Sequence, residues 1–188
     1  LSGFYWDARD VIVQVADPRD MLLQFQNVGR YLSLGVEAEL SYRNSAGWYG
    51  FGGICYARVG SGEDGGDVAY GDVPDAAPIT ANAGVSTPRL FDRVHVSTEL
   101  TLLGARPTRP DLDGDPSPDS DAWLGWSLAL YAPSIGGFDV TIGARNLIGK
   151  RDQLPAPGDY DRSMPTAVVI PRVPGEGREV FAKVGYAY

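Results

Sequence analysis

Three groups of residues carry side chains that could do chemistry. His95, Ser97 and Glu99 are the parts of a hydrolytic relay, with a base, a hydroxyl nucleophile and an orienting carboxylate. Asp111, Asp113 and Asp115 repeat the one-three-five carboxylate spacing of a calcium loop. Cys55 is the only thiol, so no internal disulfide is possible.

Each has a plainer reading. His95, Ser97 and Glu99 alternate along a strand-like stretch, where such positions stand ~7 Å apart on one face. A relay needs hydrogen-bond reach, so a polar row on a sheet explains them better. The aspartate run has Pro116 where an EF-hand needs Gly and Ala122 where it needs Glu, with no helical pattern on either side. An acidic, solvated loop is the leading reading, and a loose calcium contact through Asp111, Asp113 and Asp115 the minor one. Cys55 reads as a small buried apolar residue. No catalytic residue and no resident cofactor are expected.

The elements that must position these residues have a period of two. Leu32, Leu34, Val36, Ala38, Leu40 and Tyr42 alternate with Ser33, Gly35, Glu37, Glu39, Ser41 and Arg43. Successive strand side chains point to opposite faces, so one face is apolar and the other polar. The pattern recurs in 94–103, 124–131, 138–145 and 179–188. Eight strands are expected, over 2–15, 22–44, 47–60, 78–88, 92–108, 121–133, 137–150 and 177–188. The second, fifth and seventh should exceed ten residues.

The connections alternate in length. Short turns fall at Asn44–Gly47, Pro88–Asp92 and Pro133–Gly137, and longer links at 16–21, 61–77, 109–120 and 151–176. Outer-membrane barrels sort their loops this way, short on the periplasmic rim and long outside. No apolar run reaches eighteen residues, which excludes a transmembrane helix but not barrel strands. A net charge of −8 excludes the basic stripe that a nucleic-acid partner requires. The fold class is therefore all-β, an antiparallel meander of about eight long strands forming part of a transmembrane outer-membrane β-barrel.

In that frame Leu32, Leu34, Val36, Leu40, Val140, Ile142, Val180, Val184 and Tyr186 face lipid. Glu37, Glu39, Arg43, Arg58, Glu99, Asp139, Arg145 and Lys183 face the lumen, since a charge on the lipid side costs roughly 2–4 kcal/mol at midplane. These charges would solvate the lumen or dock a plug. Tyr5, Trp6, Trp48, Tyr49, Trp123, Trp126, Tyr131, Tyr186 and Tyr188 lie near strand ends and read as interfacial girdles. Tyr188 should sit on the short-turn rim with Asn44, Leu90 and Ile135.

The order of motifs resembles the C-terminal barrel of TonB-dependent receptors. Phe4-Tyr5-Trp6-Asp7 before Asp10-Val11-Ile12 is similar to the family's aromatic strand ahead of an extracellular loop. Asn27-Val28-Gly29 followed by Gly35-Val36-Glu37-Ala38-Glu39 resembles its "NxG…GxExE" strand. Asn146-Leu147-Ile148-Gly149-Lys150-Arg151 resembles its penultimate-strand "NLFDK" motif, with Ile148-Gly149 replacing the usual aromatic–acid pair. Pro174-Gly175-Glu176-Gly177-Arg178 resembles the "GxPR" lead into the final strand, with Gly177 where Pro is common.

The resemblance spans about residues 3 to 188 and implies that 1–188 is the C-terminal portion of a barrel of about twenty-two strands. The start inside a strand also reads as a fragment, with the plug and earlier strands absent. The implied function is uptake across the outer membrane of a Gram-negative bacterium. The implied cargo is a small extracellular ligand, commonly a ferric siderophore, with cobalamin, other metals and glycans behind. The implied partners are outer-membrane lipid, the TonB complex through the plug, and the barrel-assembly machinery, which would read Tyr186 and Tyr188 as its signal. A complete eight-stranded barrel with a structural or adhesive role is the alternative. A barrel enzyme and a secreted calcium-binding sandwich stand further back.

Overall fold

A computed structural model describes residues 1–16, 19, 22–63, 66–71, 73–109, 117–156 and 170–186. Eleven strands are present among them: β1 (Ser2–Ala16), β2 (Leu23–Arg43), β3 (Tyr49–Glu63), β4 (Ala69–Tyr70), β5 (Ile79–Ser86), β6 (His95–Leu103), β7 (Trp123–Ile135), β8 (Phe138–Arg145), β9 (Gln153–Pro155), β10 (Arg172–Pro174) and β11 (Glu179–Tyr186). Eight of these form the meander β1-β2-β3-β5-β6-β7-β8-β11, every pair antiparallel. They coincide with the eight expected strands. The sequence pattern does not reveal β4, which pairs with β3, or the separate β9–β10 hairpin. Both are too short to show a period.

Strand lengths depart from expectation. β2 runs for 21 residues, but β6 has nine and β8 eight, while β1 and β3 have 15 each and β7 13. The physical reason is local. After Leu103 the chain leaves the ladder at Gly104, whose N–H donates to the Ile79 carbonyl. After Arg145 it turns at Asn146, which adopts φ 51° and accepts a bond from the Gly149 N–H on its own side chain. Asparagine tolerates this left-handed conformation better than most residues.

The short turns follow their residues. β7 and β8 are joined through Gly136 and Gly137, at φ 61° and 87°. A two-residue hairpin loop of this hand needs positive φ at both positions, which glycine adopts without a Cβ clash. The ladder slips between Ala132 and Ile135, and the Asp139 carboxylate accepts the Ser134 N–H inside that irregularity.

The ladder rows are staggered. Tyr42, near the short-turn end of β2, connects through Gly50, Val85, Thr98, Leu128 and Ala144 to Val180, near the long-link end of β11. Strands inclined to a barrel axis produce such a shear. β1 and β11 are edges, with no pairing between them among the described residues.

The sheet is a single layer with almost no apolar core of its own. Among the described residues Leu32 and Ala156 are the buried hydrophobics, whereas Leu40, Val180 and Val184 are 76%, 78% and 65% exposed. The most enclosed side chain among the described residues, Ser120 at 1%, lies in the link between β6 and β7. Among the described residues no helix is long and apolar enough to cross a membrane.

Candidate functional site

The register sorts side chains into two faces. Val36, Tyr56 and Ile79 share one, as do Ala38, Ile54, Ala81, Leu102 and Leu124. Leu130, Ile142 and Ala182 continue it, followed by Ala132, Val140 and Val184. All nine residues expected on the apolar side lie there. The opposite face holds Glu37 beside Cys55, Glu39 beside Gly53, Arg43 beside Tyr49, and Glu99 between Gly84 and Ser127. Asp139, Arg145 and Lys183 lie on it too.

Arg58 does not. It is paired with Leu34 and so lies on the apolar face, against expectation, with its guanidinium 5.2 Å from the Tyr70 ring centroid. β3 carries Gly50, Gly52 and Gly53 in its lower half, which blurs the alternation that would have shown this. Asp7 and Arg30 also lie on that face, further from the short turns than Arg58, as register partners of Leu32 and Gly62. Apolar character therefore stops about two-thirds of the way up β2 and β3.

The aromatic girdle is likewise corrected. Trp6, Tyr49, Trp123 and Tyr131 pair with Ser33, Arg43, Leu103 and His95 and lie on the polar face. Trp126 keeps an apolar-face position near the long links and Tyr186 one near the short turns, its ring 5.0 Å from that of Phe138, while Tyr5 lies on the apolar face opposite Leu34, near the middle of β2. Alternation, not nearness to a strand end, decides which rings can reach an interface.

The polar face has its own order. Arg145 donates to Glu179 at 3.2 Å and lies 5.1 Å from the Phe181 ring, and Arg43 lies 5.2 Å from the Tyr49 ring. A shallow depression of about 240 Å³ is lined by Tyr49, Phe51, Ser97, Glu99, Arg145 and Phe181. Two of its rings lie flat over glycines, Phe51 on Gly84 and Phe181 on Gly143, leaving no room for a Cβ at either position.

The relay parts do not meet. His95 donates from Nδ1 to the Thr87 carbonyl at 3.1 Å and stacks on Tyr131, while Ser97 donates to the Ser86 hydroxyl. Cys55 is half-exposed and lies on the charged face between Glu37 and Thr80, rather than being buried. Asp111, Asp113, Asp115 and Tyr188 lie outside the described residues.

Sequence reasoning missed a buried polar cluster that joins the long links. Arg106, 5% exposed, donates through Nη1 to Asp75 at 2.9 Å, and through Nη2 to Asp152 at 2.5 Å and to the Gln153 carbonyl. Its backbone N–H donates to the Ser120 hydroxyl, and the Ser120 N–H returns to the Arg106 carbonyl. Asn146 braces the same rim from below, donating to the Lys150 and Glu176 carbonyls. That gives a physical role to the asparagine of the Asn146–Arg151 motif. No local pattern marks Arg106, since its partners are 31 and 46 residues away.

Two similar structures share this architecture. The FrpB iron transporter from Neisseria meningitidis (F3-3 variant) superposes with a TM-score of 0.70 at 15% identity, over 98% of this chain and 28% of that one. The copper transporter OprC gives 0.67 at 19% identity, over 99% of this chain and 28% of that one. The chain thus spans just over a quarter of each. A search of curated protein sequences found no significant match. The family profile described as "TonB dependent receptor-like, beta-barrel" matches residues 1–147. With most of its length matched and its strands in that order, the chain belongs to the TonB-dependent receptor β-barrel family.

Proposed function

We propose that residues 1–188 form the C-terminal part of the wall of a TonB-dependent transporter in the outer membrane of a Gram-negative bacterium. In this reading the transporter imports a scarce ligand such as a ferric siderophore or cobalamin. The observation that carries the proposal is the two-faced sheet. Exposed apolar side chains cover one face across all eight strands, and below the Arg58 rung charges are confined to the other. Only lipid makes that apolar surface favourable, and in lipid every backbone polar group must pair within the protein. The open edges β1 and β11 support further strands beside them rather than a closed barrel of eight.

The polar face then lines a lumen. Glu37, Glu39, Arg43, Glu99, Asp139, Arg145 and Lys183 supply solvated charge against which a plug can dock. Energy would arrive from the TonB complex through that plug. The barrel-assembly machinery would insert the wall, reading Tyr186 and Tyr188. The similar structures are an iron and a copper transporter, which favours a metal-bearing ligand.

The test is uptake by the full-length receptor. Cells with and without it, in backgrounds with and without TonB, are given labelled ferric siderophores, cobalamin and copper at limiting concentration. Accumulation of one of these that needs both proteins is expected. Uptake that ignores TonB would overturn energised transport and leave a passive or adhesive barrel.

A further inference from the structure

The three short turns of the rim are not built alike. The turn after β2 closes through Gly47 at φ 91°, and the turn after β7 through Gly136 and Gly137, all in the left-handed region. Between β5 and β6 the tip is Phe91-Asp92, at φ 51° and 54°, closed by the Arg93 N–H on the Leu90 carbonyl at 3.0 Å. Aspartate tolerates this conformation, but a bulky residue rarely adopts it, and asparagine or glycine is the ordinary choice at such a tip. The Phe91 ring gains no packing in return. It is 93% exposed, and among the described residues only the terminal Leu1 is a more exposed large hydrophobic. A local rule broken with no gain to the fold points to function.

Charge marks the same turn. Arg89 and Arg93 flank the tip, both exposed, and neither forms an ion pair among the described residues. The other two turns, 44–48 and 133–137, hold no cation. The tip also reaches beyond the apolar band. Val85 stands on the Tyr42 rung, and Phe91 lies six residues past it. At ~3.3 Å per residue and a tilt near 40°, less the climb of the rung over two strands, the ring lies roughly 10 Å past the Tyr42 level. Tyr42, Phe138 and Tyr186 already supply exposed rings at this end of the apolar face, from unstrained strand positions. Lipid surrounds a barrel on every side, so a lipid anchor has no reason to appear at one turn of three. A protein partner meets the rim at one place.

We propose that the Phe91 turn is a docking point, on the barrel wall itself, for the periplasmic part of TonB, which presents there an apolar pocket bordered by carboxylates. The Phe91 ring enters the pocket, and Arg89 and Arg93 pair with the carboxylates at its edge. Aromatic and arginine side chains are enriched in interfaces, where an aromatic anchor in a desolvated pocket carries much of the binding energy. The left-handed tip holds the ring clear of the wall, so little ordering is left for the complex to supply. The proposal rests on the transporter reading, which brings TonB to this rim through the plug. The turn is a second contact, independent of the plug.

The experiment uses the full-length receptor and full-length TonB, both in mild detergent, with affinity read by biolayer interferometry and receptor stability by its unfolding midpoint. Phe91→Asn puts a residue suited to the left-handed tip in place of one that is not. Its midpoint should match or exceed that of wild type, while TonB affinity falls at least fivefold. Arg89→Glu combined with Arg93→Glu should weaken binding at least as much. Ala46→Asn, in the neighbouring turn, should leave binding unchanged. Unchanged affinity of either the Phe91 or the double arginine variant overturns the proposal. So does a lowered midpoint of Phe91→Asn in detergent, because the ring then serves the fold. A midpoint lowered only in phospholipid vesicles, with TonB affinity intact, assigns the ring to the bilayer and overturns it as well. In each of these cases wild-type binding to TonB survives, so this contact alone is lost. A wild-type receptor that binds no TonB defeats the transporter reading itself.

Discussion

Trp126 donates its indole N–H to the Thr98 hydroxyl at 2.7 Å, and Thr98 passes its own hydrogen to the Ser127 carbonyl at 3.0 Å. Both side chains lie on the apolar face, where water cannot substitute for a missing partner. Thr98→Val should therefore leave a stranded indole donor and cost about 1–3 kcal/mol. Trp126→Phe together with Thr98→Val should cost less than the sum of the two single changes, because donor and acceptor disappear together. Urea unfolding of the full-length receptor in lipid vesicles measures both. Strict additivity would show that the bond carries no coupling.

Adjacent residues on β6 test the facing. Leu100→Arg puts a charge on the apolar face and should cost roughly 2–4 kcal/mol near the midplane. Thr101→Arg points to the polar face, in the row of Glu39 and Asn82, and should fold within about 0.5 kcal/mol of wild type. Outer-membrane levels and unfolding free energies of the two variants decide it. Equal losses would mean that both faces meet the same solvent.

The Arg106 cluster should behave as a clasp between links. Arg106→Met leaves the Asp152 carboxylate enclosed without its cation, at a local cost of about 3–5 kcal/mol. Asp75→Ala removes a partner that is 60% exposed and should cost under about 1 kcal/mol. Hydrogen exchange should quicken in residues 104–109 and 117–122 of Arg106→Met, while β6 and β7 stay protected. Unchanged exchange in those links would show that the ion pairs do not hold them.

The last strand carries a prediction about assembly. Tyr186→Asp puts charge on the apolar face beside Phe138, and combined with Tyr188→Asp it should sharply reduce outer-membrane insertion of the full-length receptor. Ligand affinity of the fraction that assembles should change little. Heat-modifiability gels on fractionated membranes read the first quantity. Normal surface levels would remove the terminal strand from any assembly signal.

By itself the sequence determined the eight strands of the meander, the order of short and long links between them, and which residues of β2, β6, β7, β8 and β11 share a face. It could do so because alternation is a local property, written within each strand and imposed by a surface that is lipid on one side. Leu34, Val36, Glu37 and Glu39 declare their faces without reference to any other strand. Only the tertiary structure decided what depends on distant partners. The register that carries Tyr42 across to Val180 is set strand against strand. Arg58 lies on the apolar face because it pairs with Leu34, a register that the glycine-rich lower half of β3 conceals. Arg106 looks like one more loop cation until Asp75, Ser120 and Asp152 are brought around it, and no pattern in the surrounding residues encodes that meeting.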